Sequence, residues 1–79
     1  MYYVIILTVK NRKQNAIKVQ EILTEYGSVI KTRLGLHETA QENQEGLIIL
    51  HTSVSQRSEE LAEKLNSIEG VHGKLVKID

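Results

Sequence analysis

From residue 2 to residue 9 the chain reads YYVIILTV, apolar or aromatic at nearly every position. A strand with one wet face alternates, so an unbroken run predicts a strand covered on both sides. The polar KNRKQ follows, and then Ala16, Val19, Ile22, Leu23 and Tyr26 recur at helical spacing. They predict a helix over 12–26, with Asn11 as N-cap, Gln14 completing a capping-box pattern and Gly27 as a left-handed terminator. Residues 28–36, SVIKTRLGL, alternate instead. Ile30, Thr32, Leu34 and Leu36 fall on one face, and Val29, Lys31, Arg33 and Gly35 on the other. This is the pattern of a half-buried strand. A glycine inside it reads as a bulge or a place of close approach by another backbone or a ligand. Lys31 and Arg33 share that face, which is expected to meet a partner.

The polar, acidic HETAQENQE predicts a hairpin loop, and GLIILHT, residues 46–52, is a second run apolar on both faces. In SVSQRSEELAEKLNSIEG a serine cap (Ser55) precedes a helical stripe of Leu61, Leu65 and Ile68, and Gly70 stops it. VHGKLVKI predicts a last strand. The order is therefore β-α-β-β-α-β, which right-handed crossovers turn into an α+β, ferredoxin-like sandwich. Its four-stranded antiparallel sheet has the order 4-1-3-2 and carries two helices on one face. Residues 1–79 are read as one domain, since a chain this short buries only about two thirds of its unfolded surface. The central strands of that order are the first and third, the two runs apolar on both faces. One sheet face is left without helices, and an apolar face of this kind is unusual in a lone soluble chain. Val4, Ile5, Ile6, Leu7, Ile48, Ile49 and Leu50 are accordingly expected to meet a second copy, as a homodimer or homotetramer formed through the sheet face or edge. The alternative cover, the loop at 37–45, is polar.

Composition narrows the function. Ten basic and ten acidic residues cancel, so no net field draws nucleic acid or an anionic membrane. The absence of Cys excludes disulfides, thiolate metal sites and a cysteine nucleophile. The opening MYYVIILTVK has no basic region before its apolar run and no small-residue cleavage site, and is too short to span a bilayer. A cytoplasmic location is the expectation.

Candidate chemistry is sparse. His37, His51 and His72 could ligate a metal only if they converged. In this topology His37 and His51 stand about 17 Å apart along the sheet, and His37 and His72 about 14 Å across it, so no metal site forms within one chain. No nucleophile elbow, phosphate-binding loop, HExxH or dinucleotide fingerprint occurs, and no enzyme activity or cofactor is expected. Glu59, Glu60 and Glu63 read as a solvated helix surface, with Lys64 pairing Glu60 one turn away. An acylphosphatase of the same topology would need a glycine-rich loop after the first strand, where this chain has KNRKQN. Sheet-borne RNA recognition needs exposed aromatics on the central strands, and only Tyr2 and Tyr3 are near them. What remains is a small-anion site. Lys10, Asn11 and Arg12 lie where the first strand meets the first helix, with Arg33, Gly35 and His37 at the same edge. Ordinary surface charge around an N-cap is the competing account.

The tracts VKNR, KVQEILTEYG and IKTRLGL, a glycine opening an apolar strand, and a closing KL..I.GV..K together resemble the small family of iron-only hydrogenase system regulators. The likeness spans nearly the whole chain and is most specific from Val19 to Leu36, at Glu25-Tyr26-Gly27 and Arg33-Leu34-Gly35. It implies an ACT-like domain, akin to the ligand-sensing half of the nickel-responsive repressor, that assembles through its sheets and binds effectors between subunits. Three departures limit it. The nickel sensor's His-x-His and Cys ligands have no counterpart, since Thr52 and Ser53 follow His51. The glycine usual after the first strand of amino-acid-binding ACT domains is missing. No helix-turn-helix or ribbon-helix-helix segment is present, so direct contact with DNA is not expected. The expectation is an oligomeric, non-enzymatic regulatory module binding a small effector. A ligand-free interaction module and a metal sensor assembled across subunits stand as alternatives.

Overall fold

The computed structural model describes residues 1–37 and 46–79, with the side chains of Leu36 and His37 set aside. Strand β1 (Tyr2–Val9) leads into helix α1 (Arg12–Glu25), a single 3-10 turn (Gly27–Val29) and strand β2 (Ile30–His37). Strand β3 (Gly46–Thr52), helix α2 (Gln56–Asn66) and strand β4 (Val71–Ile78) complete the order. The sheet runs β2-β3-β1-β4, antiparallel throughout, which is the predicted ferredoxin-like arrangement. The predicted hairpin loop falls on residues outside those described.

Register decides which side chains meet the helices. Ile5 pairs with Leu50 and Leu75, and Leu7 with Ile48 and Gly73. Ile5, Leu7 and Leu50 are wholly buried beneath Val19, Leu23, Leu61 and Leu65. Each such aliphatic side chain contributes about 1.5–3 kcal/mol when taken from water. This corrects the expected interface: Ile5, Leu7 and Leu50 belong to the core under the helices, and Ile48 shares their face, partly buried. Of that set only Val4, Ile6 and Ile49 lie on the open face, where Val4 pairs with Val76 and Ile6 with Ile49.

Strand β2 departs from the alternation read for it. A bulge between Ile30 and Thr32 puts Ile30 opposite Thr52, then Thr32 opposite His51 and Arg33 opposite Leu50. One extra residue reverses every side chain beyond it. Ile30 thus packs against the core, Arg33 and Gly35 face the helices, and Leu34 points to the open side, 51% exposed. The irregularity sits at Lys31 and not at Gly35, and Arg33 lies on the helix side of the sheet.

The helix ends also differ in detail. Asn11 is the N-cap of α1 but adopts a left-handed conformation (φ 51°, ψ 54°), and its side chain makes no capping bond. Its carbonyl accepts from the backbone N–H of Gln14 and Asn15 instead. Gly27 opens the 3-10 turn without a positive φ, whereas Gly70 does take the left-handed region at φ 87°. Ser55 caps α2 as expected, its Oγ accepting from the Ser58 N–H at 3.2 Å. Lys64 pairs with Glu25 of α1 at 3.2 Å, not with Glu60. Arg57 donates to the Glu25 carbonyl at the end of α1, where a cation is favoured, and stacks 4.3 Å from the Tyr26 ring.

Candidate functional site

Helix α1 packs over β1 and leaves a gap above the neighbouring strands β3 and β2. That gap is a cleft of about 270 Å³. Its apolar wall comes from Val9, Ala16, Val19 and Ile48, its polar groups are Arg12, Gln20 and Arg33, and Gly35, Gly46 and Leu47 line its strand side. Helical spacing brings Arg12, Ala16, Val19 and Gln20 onto one side of α1. The β2 bulge turns Arg33 toward them. Arg33 Nη2 donates to Gln20 Oε1, a short contact to a neutral acceptor. Among the described residues no carboxylate pairs with Arg33.

The two glycines serve different ends. The stem of Arg12 passes Gly46 so closely that a Cβ there would stand 3.2 Å from Arg12 Cδ. A Cβ on Gly35 would meet nothing within 4 Å, so its missing side chain leaves open space on the cleft side of β2.

Of the six residues singled out in the sequence, the fold gathers Arg12, Arg33 and Gly35 on this cleft. Lys10 and Asn11 turn away from it. The Lys10 N–H donates to the Gly70 carbonyl at 2.7 Å. Asn15, itself buried, donates through Nδ2 to the carbonyls of Lys10 and Glu69 at 2.8 and 3.1 Å. These bonds clamp the β1–α1 junction to the turn before β4 and give Lys10 a structural duty. Asn11 lies beside a separate, polar depression with Gln14, Lys18 and Glu69. His37 pairs through its backbone with Gly46, at the cleft end of the β2–β3 ladder. Gln20 and the wall residues were not singled out in the sequence. Gln20 is four residues from Ala16 on the same helix side, but nothing local shows that it faces a guanidinium from β2.

The histidines stay apart: His51 faces the open side, edge-on to the Tyr2 ring at 4.7 Å, and His72 pairs with Thr8 near the other edge. Among the described residues no three His, Cys, Asp or Glu side chains gather where they could hold a metal ion. Tyr3 is buried at the opposite end of the sheet from the cleft and donates to Glu59 Oε2 at 2.7 Å. That bond, then burial and the nearby negative charge, holds its hydroxyl above the ordinary value of 10.0. No described helix is long and apolar enough to cross a membrane.

Comparison with known structures places this geometry in context. Uncharacterized protein TM1266 from Thermotoga maritima superposes with a TM-score of 0.87 at 25% identity, covering 99% of this chain and 96% of that one. A formyltetrahydrofolate deformylase from Pseudomonas putida KT2440 shares the fold at 10% identity and a TM-score of 0.61. It covers 99% of this chain but only 29% of its own length. CPII from Thiomonas intermedia K12, solved with ADP, AMP and acetate, matches at 14% identity and a TM-score of 0.50, over 98% of this chain and 89% of its own. The last two likenesses concern the fold alone. No curated protein matches the chain. The family model described as "TM1266-like: Iron-only hydrogenase system regulator, putative" matches residues 1–75. Nineteen-twentieths of the sequence thus follow one family pattern, and the chain belongs to the TM1266-like family of iron-only hydrogenase system regulators.

Proposed function

We propose that this chain is a non-enzymatic regulatory module that binds a small anionic effector in the cleft between α1 and β2 and associates with a second copy of itself. One observation carries the effector site: two guanidinium-bearing residues, Arg12 and Arg33, line a concave, largely apolar cleft. Arg33 spends one donor on a neutral amide among the described residues. A guanidinium offers five donors in a planar fork that matches a carboxylate or phosphate. Membership in a family of regulators supports a binding role over a catalytic one.

The open sheet face supports self-association. Ile6 (39% exposed) and Leu34 (51%) stand out on it among Val4, Leu47, Ile49 and Val76, an apolar stretch crossing all four strands. Because β2 forms both the cleft and one margin of this face, an effector held by Arg33 touches the strand that would meet the partner. That gives a direct route from ligand to assembly.

Thermal denaturation against a panel of small anions tests the reading. A ligand specific to the native state raises the midpoint by mass action. The expected result is a rise with at least one carboxylate or phosphate compound that disappears in Arg33→Ala, whose own midpoint stays near that of the parent. Persistence of the full rise in Arg33→Ala would remove the cleft from the account. A rise with Ni or Zn alone would favour a metal sensor built across subunits.

A further inference from the structure

We propose, independently of the cleft, that the β4 margin of the sheet is a strand-addition edge which Asn66 holds shut against a second copy of this chain.

Among the described residues no strand lies beyond β4. An edge strand offers unpaired backbone N–H and C=O groups that another chain can take up. In an antiparallel ladder the bonding groups alternate, so every second residue of β4 points its pair away from β1. Gly73 is one of these, because both of its backbone groups are bonded on the far side. Its N–H donates to Asn66 Oδ1 at 2.9 Å, and its carbonyl accepts from Asn66 Nδ2 at 2.9 Å. Leu75 and Lys77 follow at the same two-residue step. At Val71 the N–H is already taken by the Ile68 carbonyl of the preceding turn, at 3.0 Å.

Asn66 meets Gly73 as a neighbouring strand would. A primary amide sets an acceptor and a donor side by side, which is what a residue receives from its partner in a hydrogen-bonded cross-strand pair. The amide is also anchored on its own helix, since Nδ2 donates to the Ala62 carbonyl one turn earlier at 2.9 Å. Held from both sides, it stays on the edge.

The occupant it excludes is a second β4, because this strand is nearly self-complementary. Two copies running antiparallel about Leu75 set Leu75 opposite its counterpart, and Gly73 and Lys77 opposite one another twice. All of these residues point their backbone groups outward, so each facing pair could exchange hydrogen bonds. Lys74 then faces Val76 and not another lysine, so like charges are not opposed. With Asn66 on Gly73 in both copies, the two outer pairs are blocked and only the central one at Leu75 is left. Association between copies is thereby kept off this margin.

Amide hydrogen exchange followed by nuclear magnetic resonance on the full chain, from micromolar to millimolar concentration, tests this in parent, Asn66→Ala and Asn66→Ser proteins. In the parent the Gly73 N–H should be protected at every concentration, and those of Leu75 and Lys77 should exchange freely, whether or not copies meet on the open face. In Asn66→Ala the Gly73 protection should vanish in dilute solution. At millimolar concentration the amides of Gly73, Leu75 and Lys77 should then slow together by at least about tenfold. Adding Lys77→Pro, which deletes an outward donor from the edge, should abolish that slowing. Should the alanine variant fail to fold, Asn66→Ser carries the same decision, since its hydroxyl can still bond the Ala62 carbonyl but is too short to span to Gly73. Leu75 and Lys77 amides that slow with concentration in the parent would mean that the edge is already in use, and would overturn the proposal. Variants that lose the Gly73 protection yet leave Leu75 and Lys77 exchanging freely at millimolar concentration would overturn it too, reducing Asn66 to a tie between α2 and β4.

Discussion

Replacing Thr52 by valine should stabilise this protein. Thr52 ends β3 at the opposite end from the cleft, paired with Tyr3 on one side and Ile30 on the other. It is fully buried, and among the described residues its Oγ1 has no hydrogen-bond partner. A hydroxyl taken from water without compensation costs about 1–3 kcal/mol. Valine keeps the branched shape, removes that cost, and suits a strand at least as well. The expected net gain is about 1–2 kcal/mol, the lower part of the range, because packing around the new methyl is not ideal. For a chain of 79 residues each kcal/mol moves the melting point by about 4–8 °C, so the midpoint should rise by at least about 4 °C. Urea denaturation followed by circular dichroism should show the same gain as a higher midpoint at unchanged slope. Thr52→Ser serves as the control: it keeps the lone hydroxyl and loses a buried methyl, and should be destabilised by about 1 kcal/mol. A valine variant that melts below the parent would refute the reasoning, because it would mean that Oγ1 holds a bond the valine cannot make.

Two other outcomes follow from the open face and from Tyr3. Leu34→Glu should fold like the parent, since half of Leu34 is already in contact with water, yet lose self-association. Covering the exposed half of a leucine is worth about 1 kcal/mol per copy, and a carboxylate buried there unpaired costs several more. Light scattering on a sizing column that shows Leu34→Glu assembling like the parent would rule out the open face as the meeting surface. For Tyr3, the folded hydroxyl ionises above the unfolded value, so the neutral form is the one that folding favours. Its contribution is therefore complete below about pH 10 and is lost as pH rises through the folded value. Tyr3→Phe should shed that alkaline loss of stability, and urea midpoints that fall in parallel for the two proteins would contradict it.

Much of this molecule is legible in its amino-acid order, for local reasons. Hydrophobic period and capping residues depend on near neighbours in the chain. YYVIILTV, GLIILHT and the stripe through Leu61 and Leu65 therefore disclosed their own type and extent, and strand order followed from topology rules. The two-sided apolar runs were rightly placed at the centre of the sheet. The family pattern was legible too, in tracts such as EYG and RLG. Facing is another matter. Periodicity says which residues share a side, but only the path of the helices says which side is covered. One bulged residue at Lys31 then reverses every side chain after it. For that reason Ile5, Leu7 and Leu50 belong to the core and not to a partner, Arg33 bends toward Gln20, and Leu34 looks outward. The cleft lies where α1 and β2, joined by a single 3-10 turn, diverge toward Arg12 and Gly35, and no local pattern in either element shows that gap.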